Sequence, residues 1–483
     1  MDPINRRSLL KGSALAAPVF FLRGLRSSPL SRVFGNACAP TAPTNRKLVV
    51  FFLRGGCDGV NLAIPGPNLD STYTATRGAL ALPFSGSGRA IALTGSNFFV
   101  HPSLLKLRTS FEAGRAAFLH RIGNATSDRS HFKEMQIYET GKPGTTLDLI
   151  REGWATRLAL AFQNQPVIGG ASFSKKLQQL FRATPTSFLM PNLKTVYGDV
   201  NGASRDLVFA IDSSGAPPPE ISNLSNRWAS HFGTTSTVDT VADTLVRGSG
   251  DKLFDVIGDL ATNLPNPIIH DEAAFPVDPN NIPPQGTEMM ANLESAMHVL
   301  KHTDCQVAGL ELGGFDTHQN HYSGLPHEGA YANLLTIVSH AMYHADQWAI
   351  SNDAGNEYLF LAITEFGRTI APNSTAGLDH GVGSCFIAVG HGVKSGVYNG
   401  TNSTSKPKDF GQAWDPIASQ VNDPTYPDAL TPKSDFRVVF AEILEKHFNL
   451  PRVGAGVTVD SVLPGYGGTI GTTPFDSLLD FLV

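Results

Sequence analysis

The feature that most constrains this chain is a set of short, nearly unbroken apolar runs, each bordered by glycine and by acidic or imidazole side chains. Lys47–Leu53 ends in Arg54-Gly55-Gly56-Cys57-Asp58-Gly59, and Gln306–Leu312 ends in Gly313-Gly314-Phe315-Asp316-Thr317-His318-Gln319-Asn320-His321. Glu357–Ile363 runs into Thr364-Glu365-Phe366-Gly367-Arg368-Thr369, while Ser384–Gly390 follows Asp379-His380-Gly381. Runs this apolar, without polar alternation, suit strands covered on both faces, as in a parallel sheet. Ala116–Ile122 reads as a further strand. Helical spacing lies between the runs: Ser103–Glu112, the stripe Met290, Leu293, Met297 and Leu300, a long helix from about Gly329 to Ser351, and Asp435–Phe448 with Asp435 as N-cap. Strand and helix thus alternate, which predicts an α/β fold with a largely parallel central sheet and helices on both faces. A helical and loop-rich insertion is expected over roughly residues 150–300, including a helix from Trp154, a strand at Asp206–Ile211 and amphipathic helix within Asp239–Leu264. Residues 66–100, rich in glycine and serine, read as excursion loops.

The first 39 residues read as a leader. Arg6-Arg7-Ser8-Leu9-Leu10-Lys11 precedes a short apolar run, Gly12–Leu22, in the manner of a twin-arginine export signal. The expected organisation is a signal peptide at 1–39 and a single α/β domain at 40–483, located in the periplasm or secreted, with the twin-arginine translocation machinery as a partner. No later apolar run is long enough for a stable membrane span. The leader carries six Lys/Arg and one Asp, so the formal charge of −5 for the whole chain becomes −10 for the remainder. That acidity argues against nucleic acid as a ligand. Cys38, Cys57, Cys305 and Cys385 have no paired spacing and are expected as free thiols.

In α/β sheets ligands bind at the carboxyl ends of strands. Asp58, Ser130, Asp316, His318 and Glu365 all fall just beyond such ends. Carboxylates gathered there repel one another unless a cation neutralises them, so a shared divalent metal is the simplest account. The oxygen and imidazole donors of Asp316, His318 and His321 suit Zn²⁺ or Mn²⁺. Ser130, with Lys133 and Glu134 after it, sits at a helix start, either as a plain cap or as a nucleophile. A helix N-terminus there would also favour an anionic substrate. His131 is expected to point elsewhere on that helix. His340 and His344, one turn apart, read as a surface pair.

Taken together, the twin-arginine leader, LVVFFLRGGCDG, RSHF, GGFDTH, TEFGRT and DHG resemble an uncharacterised family of exported bacterial proteins grouped with the alkaline phosphatase-like superfamily of phosphatases and sulfatases. The resemblance implies metal ligation by Asp58, Asp316, His318 or His321, Glu365 and His380, with one or two ions, a Ser130 nucleophile, and Arg368 opposite developing negative charge. It implies an exported metal-dependent hydrolase of small-molecule or polymer-borne phosphate or sulfate esters. At Glu365-Phe366 the sequence departs from the superfamily's Asp-His or Asp-Asn, which favours the alternative of a non-catalytic envelope binding or scaffold protein.

Overall fold

The structure is a computed structural model. It describes residues 45–142, 152–159, 161, 170–174, 178–182, 283, 286–398, 415–454, 456–465, 469–470, 473–474 and 478–483. The leader, the strand expected at Asp206–Ile211 and the helix expected within Asp239–Leu264 lie outside the described residues.

The central sheet has eight strands: β1 (Arg46–Leu53), β2 (Ala116–Gly123), β3 (Gly170–Phe173), β4 (Val307–Leu312), β5 (Glu357–Ile363), β6 (Ser384–Gly390), β7 (Gly396–Tyr398) and β8 (Ser434–Asp435). Their spatial order is β7-β2-β6-β5-β1-β4-β3, with the two-residue β8 beside the end of β2. β1 runs parallel to both β4 and β5, and β3 is parallel to β4. β6 alone is reversed: it is antiparallel to β5 on one side and to β2 on the other. The expectation of a largely parallel sheet is therefore correct, and the reversal matters for the site below.

The apolar runs are buried on both faces, as their composition demands. Val49, Phe51 and Leu53 of β1 belong to one core with helices α1 (Leu105–Glu112), α3 (Thr287–His302) and α4 (Ala330–Asn352). Leu48, Val50 and Phe52 belong to a second core with α2 (His131–Thr140) and α5 (Phe436–Glu442). Helices thus cover both faces, and each buried Leu, Val or Phe contributes about 1.5–3 kcal/mol of hydrophobic stabilisation. Asp435 caps α5 by accepting from Arg437 N at 2.9 Å, as its place before the apolar stripe predicted. α5 continues into a π-helical turn, Ile443–His447. Buried Glu442 accepts from the backbone N–H groups of Asp480 and Leu482 at 2.8 Å each, which fastens the C-terminal residues beside Leu478, Leu479 and Phe481.

The stretch 66–100 is more than excursion loops. It contains a short helix, Tyr73–Arg77, and contributes Ile91–Ala92 and Phe98–Val100 to a small antiparallel sheet with Ala63–Pro65. These pack in a third apolar cluster that includes Val60, Ile64, Tyr73 and Leu82. The stretch also delivers Arg77, fully buried, to the turn after β1. Cys57, Cys305 and Cys385 are buried free thiols. Among the described residues no helix is long and apolar enough to cross a membrane.

Candidate metal centre

Five backbone segments meet at one edge of the sheet. The turns after β1, β4 and β5 arrive there because those strands are parallel. The segment Asp379-His380 arrives there for the opposite reason: β6 is reversed, so the residues before it, not after it, stand at this edge. The start of α2 completes the cluster. The turn after β1 passes so close to Asp316 that a Cβ on Gly55 would lie 2.4 Å from Asp316 N, and Gly55 has φ +117°. Only glycine fits there without rearrangement.

At the centre is Asp316 Oδ1. His318 Nε2 stands 3.1 Å from it, His131 Nε2 3.3 Å and His380 Nε2 3.5 Å. His380 Nε2 is also 3.0 Å from His131 Nε2 and 2.9 Å from His318 Nε2. The tautomers follow from the partners on the far side of each ring. His131 Nδ1 faces a Glu365 carboxylate oxygen at 2.7 Å, His318 Nδ1 faces that of Asp379 at 2.8 Å, and His380 Nδ1 faces the carbonyl of Arg129 at 2.8 Å. Ionised carboxylates and carbonyls only accept, so all three Nδ1 atoms carry the hydrogen. In the neutral rings all three Nε2 atoms are then lone pairs aimed at one another and at a carboxylate. Arg368 offsets the charge of Asp316, but the three imidazole lone pairs still oppose one another unless a metal cation or an added proton lies among them.

The distances fit a metal. Donor atoms about 2.0–2.1 Å from a tetrahedral Zn²⁺ stand about 3.3 Å from one another. The triangle His131–Asp316–His380 has edges of 3.0, 3.3 and 3.5 Å, and these three residues form a potential ligand group among the described residues. An imidazole whose other nitrogen is held by a carboxylate or carbonyl is the usual setting of a histidine ligand.

The other predicted residues occupy distinct places. Glu365 is wholly buried behind His131, accepting from its Nδ1 and from Gly55 N at 2.7 Å, so it orients that ring. Asp58 is also wholly buried and is paired with Arg77. Its Oδ1 caps the short helix Gly59–Leu62, accepting from Val60 N at 3.1 Å. Burial alone would raise its carboxyl, but Arg77, and then His321, hold it at about 2. His321 lies beside Asp58, with Nε2 3.6 Å from Oδ2, too long for a hydrogen bond. Its Nδ1 meets Thr317 Oγ1 at 2.6 Å and its ring stacks on Tyr331, so His321 stands apart from the cluster, beside the buried Asp58–Arg77 pair. Arg368 is buried and donates to the carbonyls of Gly55, Gly56 and Leu378 and to Asp316 Oδ1 at 2.6 Å. Burial works against ionisation of Asp316, yet the hydrogen bond and charge of Arg368, with smaller help from His131 and His318, hold its carboxyl at about 2.

Ser130 occupies the N-cap position of α2, but its side chain makes no capping bond; instead Asp128 Oδ1 accepts from Ser130 N at 3.1 Å. Within the potential ligand group, the residue that sequence reasoning missed is His131. It was expected to face away, but N1 of a helix points its side chain back over the preceding loop, and here that direction is the cluster. The signal was RSHF itself, a histidine at a helix start directly after a strand and loop. Phe366, at the departure noted above, is buried with its ring centroid 4.6 Å from that of His131 and 4.9 Å from that of His380. It walls the two imidazoles from behind. His340 and His344 form a half-buried ring pair on α4, with no part in this cluster.

The fold and site define an α/β protein with an imidazole–carboxylate centre at the edge where its parallel strands end. Residues 295–413 match the model of a family described as a protein of unknown function (DUF1501), and no curated protein matches the chain. The matched stretch contains Asp316, His318, Glu365, Arg368 and His380; Asp58, Ser130 and His131 lie outside it.

Proposed function

We propose that the chain is an exported metal-dependent hydrolase of phosphate or sulfate esters, alkaline phosphatase-like in architecture, that acts with a single divalent ion. The observation that carries the reading is the set of imidazoles with committed Nδ1 atoms whose Nε2 lone pairs converge on Asp316 Oδ1. His131, Asp316 and His380 would hold the ion, with His318 beside them. Nitrogen-rich donors of this kind suit Zn²⁺ or Mn²⁺ better than the all-oxygen cations. One ion, not two, is the simpler reading, because the carboxylates a second ion would need are engaged away from the cluster, Asp58 with Arg77 and Glu365 with His131 and Gly55 N. When bound, the ion would supply Lewis-acid polarisation of an ester oxygen. The chain's own contributions are positional. Arg368 neutralises Asp316 and locks the turn after β1 against it, Glu365 keeps the His131 lone pair directed at the cluster, and Ser130, its hydroxyl uncommitted to capping, is the candidate nucleophile one residue from His131.

The test is metal content and ester hydrolysis together. Protein taken from its own periplasm should carry about one divalent ion per chain and hydrolyse an aryl phosphate or aryl sulfate, with both properties removed by chelation and restored by Zn²⁺ or Mn²⁺. Phe366 in the wall and Arg368 on Asp316 favour a second reading, a binding or scaffold protein on a degenerate fold of this type. Metal-free protein that neither rebinds an ion nor hydrolyses either ester would overturn the hydrolase reading and favour the second.

A further inference from the structure

We infer that Asp379 is the positioning residue that decides whether His318 joins the ligand set. This inference rests on the metal reading above. The three imidazoles are oriented by three different devices. His131 is fixed by wholly buried Glu365, and His380 by a backbone carbonyl. His318 depends on Asp379, whose side chain is 57% exposed, and His318 itself is 44% exposed. Its ring is therefore the one whose tautomer hangs on a single solvent-facing side chain.

The backbone around the pair is built to keep it together. Asn373 Nδ2 donates to the His318 carbonyl at 2.8 Å and to Asp379 Oδ1 at 3.3 Å, joining the two residues from one amide. Thr375 Oγ1 donates to the same His318 carbonyl at 2.8 Å, and Leu378 N donates to Thr317 O at 3.1 Å. A Cβ on Gly377 would lie 2.1 Å from the His318 carbonyl oxygen, so the two loops touch backbone to backbone. Loop position is thus set by Asn373, Thr375 and Gly377, leaving Asp379 Oδ1 to set the ring. With Asp379 accepting, His318 Nδ1 holds the hydrogen and Nε2 offers its lone pair toward Asp316 and His380. Without it, the hydrogen is free to reside on Nε2, which then cannot ligate.

The experiment compares Asp379→Ala and Asp379→Asn in the full mature chain, with Zn²⁺ and Co²⁺ as probes. Asp379→Ala should weaken ion binding by about 10–100-fold, the range for loss of an orienting partner. Asp379→Asn, whose amide oxygen still accepts, should recover most of that affinity. Nitrogen NMR of ¹⁵N-histidine-labelled, metal-free protein should find His318 as the Nδ1–H tautomer in wild type and a mixture in Asp379→Ala. Equal melting temperatures without metal would confirm that the loops remain in place. Wild-type affinity and an unchanged tautomer in Asp379→Ala would overturn the inference while leaving the metal centre intact. Wild-type protein that binds neither ion would overturn the metal reading itself and this inference with it, whatever the tautomer.

Discussion

The Nε2 atoms of His131 and His380 stand 3.0 Å apart although each ring has already given its Nδ1 hydrogen to another acceptor, Glu365 in one case and the Arg129 carbonyl in the other. Two neutral imidazoles do not choose to meet lone pair to lone pair. The first expected outcome follows: Asp316→Asn, which removes the negative charge at the centre, should lose most bound divalent metal, and His131→Ala and His380→Ala should each lower affinity at least tenfold, on the order of 1.4 kcal/mol or more. Calorimetric titration with Zn²⁺ measures it. Affinities equal to wild type in all three variants would remove the centre. The same assay should include Fe²⁺, since two imidazoles and one carboxylate with open positions also suit that ion.

Ser130 tests the chemistry separately from the metal. Its hydroxyl makes no capping bond, so Ser130→Ala should change stability by no more than about 0.5 kcal/mol. Turnover of an aryl ester should nevertheless fall at least about a hundredfold if the hydroxyl attacks, with metal content unchanged. Full activity in this variant would move the attack to water.

The buried pair Asp58–Arg77 predicts an acid limb of stability. The folded carboxyl lies at about 2 against an ordinary 3.8, so its contribution is present above pH 4 and is lost as pH falls through about 2. Removing one partner strands the other, and Asp58→Ala should cost about 3–5 kcal/mol in chemical denaturation. A neutral effect would mean that Arg77 finds another acceptor.

Glu134 predicts a shift of the opposite sign. It is buried in the first turns of α2 with Asn124 Nδ2 at 3.0 and 3.3 Å, and burial raises its carboxyl to about 7. A folded pKa above the unfolded one means that stability falls as pH rises between about 4.5 and 7. Glu134→Gln should therefore gain melting temperature relative to wild type at pH 8 and show no gain at pH 4. A gain independent of pH would show that the carboxyl is not the cause.

Export is testable without structure. Replacing Arg6 and Arg7 by lysine should leave the precursor in the cytoplasm, as fractionation would show. Undiminished delivery would remove the twin-arginine reading.

The sheet was legible because its strands are apolar without alternation, and Leu48–Leu53 is buried throughout. The reversal of Ser384–Gly390 was not legible: a strand buried on both faces carries the same composition in either direction. Asp316, His318 and His380 were found because they border such runs. Asp58 and Glu365 border them equally well, yet one is taken by Arg77 and the other by His131, and neither partner is adjacent in sequence. Arg77 lay in a stretch whose glycines and serines look like loop. His131 was not legible, because adjacency to Ser130 does not say where an N1 side chain points; it lies back over the preceding loop, beside Asp316 and His380.

The reversed strand also has a consequence for how the molecule is made. Ala116–Gly123 emerges early in synthesis, but the neighbour it needs on its inner side, Ser384–Gly390, emerges more than two hundred residues later. Pairing across such a distance is slow to close. The same zipping event draws His131, which follows the first of these strands, to His380, which precedes the second. The centre therefore cannot assemble in a growing chain before the sheet's interior is complete, and on the proposed metal reading ion capture would be a timestamp for the end of folding.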